Sequence, residues 1–140
     1  MRFLKKDRNL IIRPAVMVVD DEQAYTKVMS MVLKEYGFDP FPANSAQDAW
    51  ELLTEVTPDL VLLDVMMPEI DGITFLNELR AHAQLGVVPV LVVTAYTETR
   101  EQALSAGASG FLHKPFSAQE LRQSIGEFLS VTNPDDPLFK

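Results

Sequence analysis

Asp20, Asp21, Asp64, Thr94 and Lys114 lie far apart in the chain, yet each follows or closes a short apolar run. The run Ala15-Val16-Met17-Val18-Val19 ends on the acidic pair Asp20-Asp21, and Leu60-Val61-Leu62-Leu63 ends on Asp64. Val90-Leu91-Val92-Val93 ends on Thr94, and Gly110-Phe111-Leu112-His113 ends on Lys114. In a parallel sheet with helices between the strands, the strand C-terminal ends share one edge, where such sheets bind ligands. Three carboxylates, a hydroxyl and an ammonium then converge in one cleft. Magnesium takes oxygen ligands, usually one or two carboxylates with waters and phosphate oxygens. A carboxylate is also a competent nucleophile toward phosphorus. Lys114 and Thr94 suit the negative oxygens of a transferring phosphoryl group, and small Ala95 leaves room for it. Singly, each residue has a structural explanation: an acidic pair caps turns, and threonine is common at strand ends. Their joint position at strand ends favours a site for a divalent metal and phosphoryl transfer.

The elements that must position these residues alternate along the chain. Tyr25, Val28, Met29, Val32 and Tyr36 recur at helical spacing, and Gly37 is placed to end that helix. Phe38 to Pro42 is a short extended segment whose two prolines suit a sheet edge. Ser45 opens a second helix with Ala46, Ala49, Trp50, Leu53 and Val56 on one face, and Pro58 stops it. The loop from Met66 to Gly72 leads to a third helix carrying Ile73, Leu76, Leu79 and Ala83. Thr97 to Ala106 forms a short fourth helix, broken at Ala106-Gly107-Ala108. Ser117 and Glu120 have capping-box spacing ahead of a fifth, with Leu121, Ile125 and Phe128 as its buried stripe.

The Val-rich runs lack polar alternation, as expected of strands covered on both faces. Right-handed crossovers then predict an α/β fold: a doubly wound five-stranded parallel sheet with five helices, flavodoxin-like, in order 2-1-3-4-5. Trp50, Met29 and Met31 are expected to be packing residues, and His113 to hold neither metal nor phosphate. His82 falls at a helix end, where a cation complements the dipole.

At 140 residues the chain fits one domain, with boundaries expected at 1–13 (a basic extension), 14–131 and 132–140 (a tail). Cysteine is absent, which excludes disulfides and Cys-based zinc sites. No apolar run approaches the roughly 18 residues of a membrane span, and no signal peptide is recognisable, so a cytoplasmic protein without membrane contact is expected. A net charge of −8 argues against nucleic-acid binding.

The segments Val18-Val19-Asp20-Asp21-Glu22, Leu63-Asp64-Val65-Met66-Met67-Pro68-Glu69-Ile70-Asp71-Gly72, Val93-Thr94-Ala95 and Lys114-Pro115-Phe116 closely resemble receiver domains of two-component response regulators. The resemblance covers about residues 14 to 131. It implies that Asp64 accepts a phosphoryl group from a phosphohistidine on a histidine kinase or histidine phosphotransfer protein. It further implies that Asp21 and Asp64 ligate Mg2+, with Asp20 acting mainly through water and the Met66 carbonyl completing the protein ligands. Thr94 and Lys114 would contact the phosphoryl oxygens, and the Lys114-Pro115 peptide would be cis. Phosphorylation would draw Thr94 inward, repack Phe111 and alter the face made by the fourth helix, fifth strand and fifth helix for a downstream effector. Phe111 stands where many members carry tyrosine, so its coupling rests on packing. Tyr96, beside the site, would restrict attacking water and lengthen the life of the aspartyl phosphate.

The expected class is therefore a signalling domain whose only chemistry is its own phosphorylation and dephosphorylation, not an enzyme. A stand-alone switch is expected, monomeric or forming a phosphorylation-linked dimer, with output by docking or relay. An aspartyl-phosphate hydrolase would want a second carboxylate two residues past its nucleophile, where Met66 stands. A flavin carrier would want a hydroxyl- and glycine-rich phosphate loop, where Asp20-Asp21-Glu22 stands. The alternative from a different class is a docking or dimerisation module indifferent to phosphorylation.

Overall fold

The computed structural model describes residues 2–6, 9–66 and 71–129. Near the N-terminus, β1 (Arg2–Lys6) and β2 (Asn9–Arg13) pair antiparallel, with Arg2 opposite Arg13 and Lys6 opposite Asn9. This small sheet falls within the basic extension and is not legible in the strand-helix alternation.

The alternation itself holds. It runs β3 (Ala15–Val19), α1 (Gln23–Glu35), β4 (Asp39–Ala43), α2 (Ala46–Leu53), β5 (Leu60–Leu63) and α3 (Gly72–Ala81). It continues through β6 (Val90–Thr94), a 3-10 turn (Thr97–Thr99), α4 (Arg100–Ser105), β7 (Gly110–His113) and α5 (Ala118–Gly126). The five parallel strands stand in the order β4-β3-β5-β6-β7, the expected 2-1-3-4-5 arrangement. The prolines Pro40 and Pro42 lie in β4, which is an edge strand as expected.

Successive side chains of a strand point to opposite faces, so each strand feeds two cores. Met17, Val19, Val61, Leu63, Val90 and Val92 pack against α2, α3 and α4 through Ala49, Phe75, Leu76, Leu79 and Ala103. Val16, Val18, Leu60, Leu62, Leu91 and Val93 pack against Met29 and Leu33 of α1 and Leu121 and Ile125 of α5. Both layers are needed because the strands are apolar on both sides. Trp50 joins the first layer, its ring 5.2 Å from that of Phe75, which agrees with a packing role.

The helix ends follow local chemistry. Ser45 accepts a hydrogen bond from the Asp48 N–H, and Ser117 and Glu120 form the expected capping box. Gly37 takes a φ of 91°, a left-handed conformation that suits glycine beyond a helix end. Three expectations need correction. Val28 and Met31 are 57% and 62% exposed, because α1 turns Thr26, Met29 and Leu33 inward instead. Val56 and Ala83 lie beyond the ends of α2 and α3. His82 is the C-cap of α3, but there its Nδ1 takes hydrogen bonds from the N–H groups of Gln84 and Leu85 in the following turn, at 3.2 and 3.3 Å, an acceptor role in place of the expected cation. The expected tail, 132–140, lies outside the described residues, as does 67–70 in the loop before α3.

Arg80 ties the turns at the far end of the sheet together. Its guanidinium donates to the carbonyls of Gly107, Gly86 and Val88 at 2.8, 3.1 and 2.6 Å, and to the Ser109 hydroxyl at 3.3 Å. Ser109 Oγ in turn accepts from the Val90 N–H at 3.0 Å, at the start of β6. Arg80→Met keeps the aliphatic stem and removes every one of these donors, leaving the carbonyls unpaired. It is expected to cost about 3 kcal/mol, read as a lower urea midpoint at unchanged slope.

Candidate functional site

Asp20 follows β3 directly, and the backbone fixes it there. Its N–H donates to Ala43 at 3.1 Å, and its carbonyl accepts from Asn44 Nδ2 at 2.9 Å. Asn44 Nδ2 also donates to Thr26 Oγ1 at 2.9 Å, which ties the acidic loop to α1. Asp20 itself is 2% exposed, with Oδ1 accepting from the Glu22 N–H at 3.0 Å. Asp64 follows β5: its N–H donates to Val19 at 2.9 Å, and its Oδ1 accepts from the Met66 N–H at 2.9 Å. Adjacent parallel strands thereby place these carboxylates side by side. Asp20, Asp21 and Asp64 each offer an oxygen within 4.8 Å of the others.

Lys114 reaches this group from the end of β7. Its Nζ lies 2.8 Å from Asp20 Oδ2 and 3.4 Å from Asp64 Oδ2. Its backbone N–H donates to the Thr94 carbonyl at 2.9 Å, and the following Lys114-Pro115 peptide is cis. Thr94 is fully buried at the end of β6, where its Oγ1 accepts from the Tyr96 N–H at 3.3 Å. That bond uses a lone pair and leaves the hydroxyl hydrogen for another acceptor. Phe111 lies near the start of β7, half-buried against the first core layer, with the Arg100 guanidinium 5.8 Å from its ring centroid. Met66 is 49% exposed.

The charges are unevenly balanced. Burial pushes the Asp64 carboxyl above its ordinary pKa and Asp20 adds to this, against the Met66 N–H and the Lys114 charge, which hold it down. Burial alone would lower the Lys114 ammonium, but its hydrogen bond to Asp20 and the neighbouring negative charges outweigh that and raise it. One ammonium thus faces a cluster of carboxylates that it does not neutralise. An all-oxygen, strongly acidic donor set of this kind fits a hard divalent cation such as Mg2+. Next to it, a hydroxyl and an ammonium suit an anionic group on Asp64.

Residues 16–126 match the family model described as the response regulator receiver domain. The chain belongs to this family. Phosphorylation and magnesium binding are general features of such receivers, which work with histidine kinases and effectors in two-component systems. The receiver is 39% identical over 118 residues to the regulatory protein AtoC of Escherichia coli, covering 83% of this chain and 25% of that protein. It is 36% identical over 123 residues to the response regulator MprA of Mycolicibacterium vanbaalenii, covering 86% of this chain and 52% of that protein. The chain therefore spans between a quarter and about half the length of these curated relatives.

Among solved structures, the chemotaxis protein CheY4 of Vibrio cholerae superposes with a TM-score of 0.79 at 27% identity, over 84% of this chain and 100% of that one. The receiver domain of the sensor histidine kinase PA1611 of Pseudomonas aeruginosa, solved with magnesium in its active-site cleft, gives 0.76 at 25% identity, over 84% and 98%. Among the described residues of this receiver, no helix is long and apolar enough to cross a membrane.

The structure brings together Asp20, Asp21, Asp64 and Lys114, with Thr94 joined to Lys114 through the backbone; Phe111 stands apart. Asn44 and Thr26 escaped the sequence reading, since each serves the site only indirectly, Asn44 by bridging the Asp20 carbonyl to Thr26 and Thr26 from α1. Tyr25 was legible only as a helix-stripe residue, and it packs over Lys114.

Proposed function

We propose that this receiver is a phosphorylation switch in which Asp64 takes a phosphoryl group from the phosphohistidine of a histidine kinase or histidine phosphotransfer protein. The observation that carries this reading is the ammonium of Lys114 held between Asp20 and Asp64, at 2.8 and 3.4 Å, beside a triad of carboxylate oxygens. Asp64 Oδ attacks phosphorus as the bond to the donor imidazole nitrogen breaks, and that imidazole leaves with the electron pair. Lys114 and the Thr94 hydroxyl then pair with phosphoryl oxygens. Asp21, Asp64 and the Met66 carbonyl would hold Mg2+ directly, and Asp20 through water. Bound there, the cation offsets the charge of the carboxylates and of the incoming group.

The magnesium in the cleft of the related kinase receiver supports this assignment. Movement of Thr94 toward the phosphoryl group would free space for Phe111 to repack, altering the face made by α4, β7 and α5 for a protein partner. The reading holds whether the receiver acts alone or joined to further domains. It makes the chain a cytoplasmic signalling domain with no external substrate to turn over. Its acidity, at net −8, favours protein over nucleic-acid contacts for the receiver itself.

Incubation with acetyl phosphate and Mg2+ tests it. Intact mass should show one base-labile phosphoryl group, lost when EDTA replaces the metal. A folded protein with no adduct would instead favour a docking module indifferent to phosphorylation.

A further inference from the structure

Tyr25 lies in the first turn of α1, four residues after Asp21. Its ring centroid is 4.0 Å from Lys114 Nζ. The ammonium is therefore held by Asp20 and Asp64, at 2.8 and 3.4 Å, and also lies over an aromatic face. Tyr25, Ala95, Lys114, Pro115 and Phe116 together line a cavity of about 370 Å³ beside the acceptor.

These contacts differ in how they respond to phosphorylation. A lysine stem is long and freely rotating, so the carboxylates alone leave the ammonium able to pivot. Phosphorylation converts Asp64 from a carboxylate into an acyl phosphate, which changes its pull on Lys114. The ring contact does not depend on that charge. It persists through the reaction, covers the ammonium from water and limits where Nζ can go, and cation–π attraction is strongest where water is excluded.

We propose that Tyr25 is a positioning residue for phosphoryl transfer, acting through Lys114 by holding its ammonium at the acceptor. This rests on Asp64 being the acceptor, as argued above. It is distinct from the packing that Tyr25 also supplies to the second core layer. Packing needs bulk, whereas positioning needs the π-face and not the hydroxyl.

The experiment compares wild type, Tyr25→Phe and Tyr25→Leu, each as the full chain with Mg2+ and acetyl phosphate. Two quantities are read: the rate of phosphoryl uptake by intact mass, and the NMR shifts of the Lys114 ε-methylene protons without donor. Wild type and Tyr25→Phe should agree within about twofold in rate, with the ε-protons shifted upfield by the ring. Tyr25→Leu should be slower by about fivefold and lose the upfield shift. Equal rates in Leu and wild type, a Phe variant as slow as Leu, or unshifted ε-protons in wild type would each overturn the positioning role alone. A wild type that takes up no phosphoryl group would overturn Asp64 as acceptor, and this role with it.

Discussion

Asp64→Asn is expected to lower phosphoryl uptake by at least about a thousandfold and, at neutral pH, to make the metal-free fold harder to melt. The two effects have one origin. Burial and the neighbouring Asp20 raise the Asp64 pKa above its unfolded value, so ionising Asp64 is costlier in the folded protein. Between the unfolded and folded pKa values the native state binds more protons than the unfolded state, and stability falls as pH rises through that window. The penalty sets in as pH rises past the ordinary carboxylate range and is complete once pH exceeds the raised folded pKa. Asparagine keeps the shape without the charge, so its melting temperature should exceed that of wild type in EDTA. The gap should close as pH falls through the ordinary carboxylate range, where wild type is also neutral. Mg2+ should narrow it at pH 7, because a ligand bound only by the native state stabilises wild type. Circular dichroism melts and intact mass on the same samples separate this outcome from misfolding, which would lower both readouts. An Asn variant that melts below wild type at pH 7 in EDTA would contradict the electrostatic account.

Gly72→Ala should damage fold and site together. A Cβ at position 72 would lie 2.4 Å from Val65 Cα and 2.6 Å from the Asp64 carbonyl oxygen. Both are backbone atoms and cannot swing aside. The Gly72 N–H also donates to the Val65 carbonyl at 2.9 Å, and Asp71 caps α3 by accepting from the Ile73 N–H at 2.8 Å. The start of α3 is thus seated directly on the backbone that carries the acceptor. Relieving the clash means moving one or the other. A loss of about 3 kcal/mol is expected in urea unfolding, with slower phosphoryl uptake in the folded fraction. Gly126→Ala is the control, since a Cβ there meets nothing within 4 Å. Near the end of α5 it should be neutral or mildly stabilising. Matching urea midpoints for the two variants would show that the close approach is not tight.

The strand-end residues were readable because a parallel strand covered on both faces is a short apolar run. The residue that closes such a run must stand at the sheet edge, which is where Asp20, Asp64, Thr94 and Lys114 are found. Helix orientation was less legible. On α1, the stripe through Val28 and the one through Thr26 and Leu33 are both compatible with the periodicity. The outcome turned on Thr26, whose hydroxyl finds the Asn44 amide and the Gln23 carbonyl and so is buried at little cost. Arg80 gave no signal, because its partners are mostly carbonyls and carbonyls leave no mark on a sequence. Tyr25 satisfied a helix stripe, which concealed that its face meets a lysine from the opposite end of the chain.

The edge strand β4 has a consequence for how this protein keeps to itself. The Asp39 N–H donates inward to Pro14 at 2.9 Å. Alternation along the strand then turns Pro40 and Pro42 toward the open side, the positions where a free N–H would otherwise await a partner. That side therefore offers carbonyls but lacks the donors that an added strand would need at those two positions. The sheet is closed to templated growth there, so runaway strand pairing, the route by which exposed sheets seed aggregates, is barred along one flank by two missing hydrogens.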